Sequence, residues 1–258
     1  MRCFSLTLYT ILFLMLPLMV NAQKTENTTP QETDSIQKLI VKKGRHILED
    51  FAHRKKIDID YQKVEEYVTQ NTEGYEQLMK RFQEDPNSLN EEEAAMLYYG
   101  FAFTKDYDPK NVDFNMDLMK AFHDKNFFAY KKELKRTPIS LALLMDAAHL
   151  AGEMGNDVFK QEYMQKAMKL LTGIMASGTG FSKERAIKVL YIADEYAIFR
   201  DLMGLRMAMQ EFIDRRYDRM TLETGNGGES VILWFDTYLS IQKLGKDDGN
   251  HKKKKKKK

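Results

Sequence analysis

Cysteine is almost missing from this 258-residue chain: Cys3 is the only one. It falls within residues 1–22, where Arg2 is followed by an apolar run from Leu6 to Val20 and by Val20-Asn21-Ala22. That order reads as a secretory signal peptide, with cleavage expected between Ala22 and Gln23. The mature chain is then expected to have no disulfide, no thiol nucleophile and no cysteine-bound metal. The cleavage region has no cysteine to carry a lipid, and no later apolar stretch has the length of a membrane span. The Gly-x-Ser-x-Gly nucleophile elbow is absent, so any nucleophile must be Ser, Thr or a carboxylate. Gly173 and Gly178 have P-loop spacing, but Thr179 and Gly180 stand where Lys and Ser/Thr are required. No cofactor is implied.

What is present is a hydrophobic supply large enough for a core: 43% apolar and 11% aromatic residues. Net charge is +2, from 40 basic and 38 acidic residues. Without Arg2 and the seven lysines 252–258, 32 basic residues face 38 acidic ones, a net of −6. The body is acidic, and Lys252–Lys258 form a solvated basic tail over 245–258 that can touch anionic surfaces without selectivity. No specific nucleic-acid binding is implied.

Residues 23–35 are polar and read as a flexible leader. A single domain is expected over 36–244, helical over 36–176 and mixed over 177–244. Apolar residues at helical spacing begin at Ile36 and continue through Phe51, Tyr61–Val68 and Tyr75–Phe82. Asn90 followed by Glu91, Glu92 and Glu93 predicts a capping box. Pro138 suits the first turn of a helix running to Leu150, which Val158–Ile174 answers in a single tetratricopeptide-like hairpin with no second copy at a fixed period. The pattern changes after Gly173. A strand is expected over Ala186–Ile192, a short helix over Glu195–Leu202, and strand material over Ala208–Glu223 broken near Asp214–Tyr217. Thr224–Gly228 reads as a hairpin turn, and Val231–Phe235 as a strand buried on nearly both faces. The fold class is α+β: an N-terminal antiparallel helical bundle, then a small, mostly antiparallel sheet.

Two blocks carry a family likeness. The first holds Leu97, Tyr98, Tyr99, Gly100, Phe101 and Phe103, then Tyr107 and Pro109. The second holds Ser177, Gly178, Gly180, Glu184, Ala186, Glu195 and Tyr196. They resemble an uncharacterised family of exported Bacteroidetes-type proteins designated domain of unknown function 4919, over roughly residues 55–240. The chain departs from that pattern at Asp194, where the family often has His, and at Thr179, where it often has an acid. The resemblance implies export and one α+β domain and brings no activity. It also implies that Asp34-Ser35-Ile36 fits the O-glycosylation pattern of such exported proteins, at Ser35.

Few residues offer a site. Tyr98, Tyr99, Phe101, Phe103 and Tyr107 form either a core stripe or a stacking platform; Tyr99 and Tyr107 are the expected exposed exceptions. Asp194 and Glu195 diverge by about 100° on a helix, so they do not pair with each other, and they are expected to cap the start of their own short helix. Asp106, Asp108 and Asp117 mimic part of a calcium loop, but Lys110 and Asn111 spoil it. His46, Glu49 and His53 share a face, but Arg45, Arg54, Lys55 and Lys56 would repel a metal ion. Ligand-binding candidates are therefore Tyr99, Tyr107, Asp194, Glu195 and Tyr196. The expected function is a soluble, exported, non-enzymatic binding or interaction module for a protein, peptide or glycan, in the periplasm or outside the cell. The alternative is a carboxylate hydrolase of glycan or peptide built on Glu195, which requires Glu195 to face a cleft about 5–10 Å from another acid.

Overall fold

Helix starts are set by short polar side chains that accept backbone N–H groups. In the computed structural model, which describes residues 56–223 and 230–245, Asp60 caps α1 (Tyr61–Gln70) and Asn71 caps α2 (Thr72–Glu84). Asn90 and Glu93 form the expected capping box of α3 (Glu91–Gly100), with Asn90 Oδ1 accepting Glu93 N–H at 2.8 Å and Glu93 Oε2 accepting Asn90 N–H at 2.9 Å. Asn115, Asn126, Ser140 and Asn156 each accept one backbone N–H to cap α4 (Met116–His123), α5 (Phe127–Glu133), α6 (Leu141–Glu153) and α7 (Asp157–Ala176). Each such cap is worth about 1 kcal/mol.

The α6–α7 hairpin is present, and it has a shorter companion. In the α4–α5 turn, Asp124, Lys125 and Asn126 donate N–H to the carbonyls of Lys120, Phe122 and Ala121; in the α6–α7 turn, Met154, Gly155 and Asn156 donate to Leu150, Gly152 and Ala151. Lys125 and Gly155 both take positive φ, 53° and 70°. The same turn therefore recurs thirty residues on, although the first pair joins helices of only eight and seven residues. The two hairpins stack through Phe122 on His149 and Phe127 on Phe159 and Tyr163.

Gly173 does not end the helix; α7 continues to Ala176. Its hydrogen lets α7 lie against α3, where a Cβ would come within 2.6 Å of the backbone of Ala94 and Ala95.

After α7 come β1 (Ile187–Lys188), α8 (Ile192–Tyr196) with a π-helical extension over Ala197–Leu202, β2 (Arg206–Ile213), β3 (Tyr217–Glu223) and β4 (Ser230–Asp236). The sheet order is β1-β4-β3-β2, with β1 parallel to β4 and the other pairs antiparallel. An α+β fold with a small, mostly antiparallel C-terminal sheet is the result. Two strand expectations are corrected. The strand over Ala186–Ile192 shrinks to two residues, because tyrosine hydroxyls take the backbone groups of Lys188 and Leu190 that a longer ladder would use. β4 buries one face only: Leu233 and Phe235 point inward, whereas Ile232 is exposed. A last helix over 238–245, absent from the sequence reading, stacks Tyr238 on Tyr61 at 5.8 Å. No helix among the described residues is long and apolar enough to cross a membrane. The signal peptide with Ala22 and Gln23, the leader with Ser35, the 36–51 helix, His46, Glu49 and His53, the 224–228 turn and Lys252–Lys258 lie outside the described residues.

Candidate functional site

The two family-like blocks meet inside the core. Tyr98 and Tyr99, on consecutive positions of α3, pack edge to face at 5.0 Å and send their hydroxyls to the 188–194 segment. Tyr98 O–H donates to Asp194 Oδ2 at 2.6 Å and accepts the Leu190 N–H at 2.9 Å. Tyr99 O–H donates to the Lys188 carbonyl at 2.9 Å, and Tyr107 O–H to the Leu190 carbonyl at 2.7 Å. Tyr99 is 0% and Tyr107 2% exposed, so neither is the surface exception the sequence suggested. Burying their rings is favourable because every hydroxyl finds a partner.

Asp194 does not cap its own helix. Its carboxylate lies at the start of α6, accepting Ala142 N–H at 2.9 Å and Ser140 O–H at 3.1 Å besides the Tyr98 hydroxyl. Burial pushes its pKa up to about 7, against the pull of these donors. Asp113 acts likewise from the loop before α4. Its Oδ1 accepts Ala193 N–H at 2.9 Å, capping α8 from outside, while burial raises it to about 8. Each helix start is thus held by an acid from a distant segment, where the helix dipole favours negative charge.

Glu195 is fully buried, and among the described residues no N–H reaches either carboxyl oxygen. Neither oxygen has a hydrogen-bond partner among the described residues, and the nearby charge of Asp218 on β3 adds to burial in favouring the protonated form. Burial first, then the charges of Asp218, Asp113 and Asp194, lift Glu195 well above the usual carboxylate range. Asp218 rises to about 6 through burial, moderated by Gln210, whose Nε2 donates to Asp218 Oδ1 at 2.9 Å. The Tyr196 hydroxyl donates onward to Gln210 Oε1 at 3.3 Å. Asp113, Asp194, Glu195 and Asp218 therefore form one acidic centre between helices and sheet.

Its two helix-borne acids do not reach solvent. Asp194 and Glu195 are each 0% exposed, so neither side chain touches bulk water. The acid near Glu195 exists, but the cleft that hydrolysis requires does not open onto this carboxyl.

The remaining candidates are local. Asp108 accepts the Lys110 N–H at 3.0 Å and so stabilises its own turn. No group of three or more His, Cys, Asp or Glu among the described residues is placed to hold a metal ion. The Ser177–Gly180 loop is spent on packing: Ser177 Oγ accepts the Lys188 N–H at 3.0 Å, and Gly180 carries Trp234 N–H on its carbonyl at 2.8 Å. Ser182 makes no side-chain cap.

Asp113, Asp218 and Gln210 were missed by the sequence reading. Asp218 left a signal, since it shares strand parity with Met220 and Leu222, the inward face of β3. Asp113 left none, because its partner is eighty residues away.

Outside the core, the two equivalent hairpin turns each expose an apolar residue at the second position of the following helix. These are Phe128, 68% exposed, and Val158, 75% exposed, with Met154 beside them in the second turn. The Lys125–Glu153 ion pair at 3.1 Å ties the two turns together.

No curated protein and no solved structure matches the chain. A family model described as Domain of unknown function (DUF4919) matches residues 62–246. That span contains both tyrosine- and acid-bearing blocks and the whole acidic centre built from them, and the chain belongs to the DUF4919 family.

Proposed function

We propose that the protein is exported and works as a non-enzymatic interaction module whose partner, a protein, peptide or glycan, docks on the hairpin turns. One observation carries the reading: the residues most suggestive of chemistry, Asp194 and Glu195, are sealed in the core, with Asp194 engaged in holding the start of α6. Phe128 and Val158, by contrast, stand exposed at matching positions on neighbouring turns, where burial against a partner would recover apolar area. Export rests on the Arg2, Leu6–Val20 and Ala22-Gln23 pattern. Ser35 is the accompanying modification site, and Lys252–Lys258 add at most a salt-sensitive, unselective contact.

The test pairs two variants. Phe128→Ser with Val158→Ser should abolish partner recovery by crosslinking in the native host while leaving the melting temperature unchanged. Glu195→Gln should leave recovery intact. Turnover of a glycan or peptide panel by the wild type, lost in Glu195→Gln with folding preserved, would replace this reading with the hydrolase. Intact mass of the exported chain should begin at Gln23, and any excess over the bare chain should disappear in Ser35→Ala.

A further inference from the structure

We propose that β2 is the seam of a homodimer, in which two copies pair antiparallel along this strand and join their sheets into one. Among the described residues β2 is the terminal strand of the sheet, hydrogen-bonded only to β3. Among the described residues, the backbone of Met207–Phe212 makes no hydrogen bond outside that pairing. Sheet edges are ordinarily defended by charge, proline, bulges or very short strands. This edge carries a bulge after Met207 and the charges of Arg206 and Glu211, but it runs for eight residues, Arg-Met-Ala-Met-Gln-Glu-Phe-Ile, without lysine or proline. It leaves Met209 49% and Phe212 47% exposed, on opposite faces.

The register of self-pairing follows from the bulge. Arg206 and Glu211 are an odd number of residues apart and would lie on opposite faces of a regular strand. The irregularity between Met207 and Met209 puts them on the same face, since they oppose Glu223 and Arg219, four residues apart on β3. Met207 and Gln210, opposing Leu222 and Met220, share the other face for the same reason. A two-fold axis between Ala208 and Met209 then sets Arg206 against Glu211 of the second copy, twice, and Met207 against Gln210. Glu211 already pairs with Arg219 across β3, so Arg206 of the second copy extends a row of alternating charge. Shifting the register by two residues in either direction loses both ion pairs. The second copy is thus the occupant this edge fits in charge and in face, through the commonest oligomer symmetry.

Sedimentation velocity of the purified chain, from micromolar to about 200 µM, tests this with Arg206→Glu, Glu211→Arg and the double charge swap. Twice the chain mass is expected for the wild type. Each single variant should weaken the dimer at least tenfold by placing like charges opposite each other, and the double swap should restore it to within about threefold of wild type. Circular dichroism checks that each variant is folded. For any that is not, hydrogen exchange of wild-type β2 amides should slow as concentration crosses the dimer range. A monomer throughout, a dimer indifferent to both single changes, or β2 exchange independent of concentration overturns the proposal. So does a double swap no better than the singles. Hairpin-turn variants at Phe128 and Val158 should leave the mass unchanged, which separates this seam from the partner surface.

Discussion

Raising the pH from 5 to 8 should destabilise this domain, and Glu195→Gln should remove part of the loss. The sign follows from the acidic centre. Asp113, Asp194, Glu195 and Asp218 all hold protons more tightly in the fold than in an unfolded chain. Their stabilisation is complete below about pH 4 and is lost as pH rises through the folded values, about 6 for Asp218 and about 7 for Asp194. From an ordinary value of 3.8 the full effects are ~3 kcal/mol for Asp218 and ~4 kcal/mol for Asp194, at 1.36 kcal/mol per pKa unit, of which ~1 and ~3 kcal/mol fall between pH 5 and 8. The groups interact, so the two figures do not add. A loss of ~3 kcal/mol in a domain of this size corresponds to a fall of roughly 6–12 °C in melting temperature. The glutamine introduced by Glu195→Gln cannot ionise, so it removes one charge from the centre at high pH. The variant should match the wild type near pH 5 and melt higher than it at pH 8. Calorimetry across this range at constant ionic strength checks both curves. A wild-type melting temperature that is level or rises from pH 5 to 8 refutes the reasoning, as does an equal deficit of Glu195→Gln at both ends.

Tyr98→Phe strands the Asp194 carboxylate and the Leu190 N–H together, so urea unfolding should show a loss of about 3 kcal/mol. Tyr75→Phe, which gives up only a bond to the Leu97 carbonyl, should cost about 1 kcal/mol. Gly173→Ala drives a methyl into the backbone of α3 and should destabilise by roughly 1–3 kcal/mol despite the better helix propensity of alanine, again by urea titration. Phe128→Ser with Val158→Ser should shift stability by less than about 0.5 kcal/mol per site, since both side chains are exposed.

Local physics was legible in the sequence and long-range physics was not. The capping box at Asn90 and Glu93 was readable because both partners lie within one turn. The alternation of β3 was readable because side chains on a strand follow its pleat. The role of Asp194 was hidden, because the helix start it holds is fifty-two residues away. The exposure of Tyr99 and Tyr107 was misjudged for the same reason: the carbonyls that satisfy their hydroxyls come from 188–190. The repeated turn is not legible in the sequence because its two copies, Ala-Phe-His-Asp-Lys-Asn and Ala-Gly-Glu-Met-Gly-Asn, share only alanine and asparagine. The left-handed position is lysine in one and glycine in the other, so identical backbone geometry is written in different residues.

The three tyrosine hydroxyls that grip residues 188–190 also bear on how the molecule comes apart. Their rings belong to the helical half, and the segment they hold leads into the sheet half. Separating the halves breaks all three bonds and exposes the buried backbone groups of Lys188 and Leu190. Helices and sheet should therefore melt as one cooperative unit, and the Leu190 amide should exchange its hydrogen only when the whole domain unfolds.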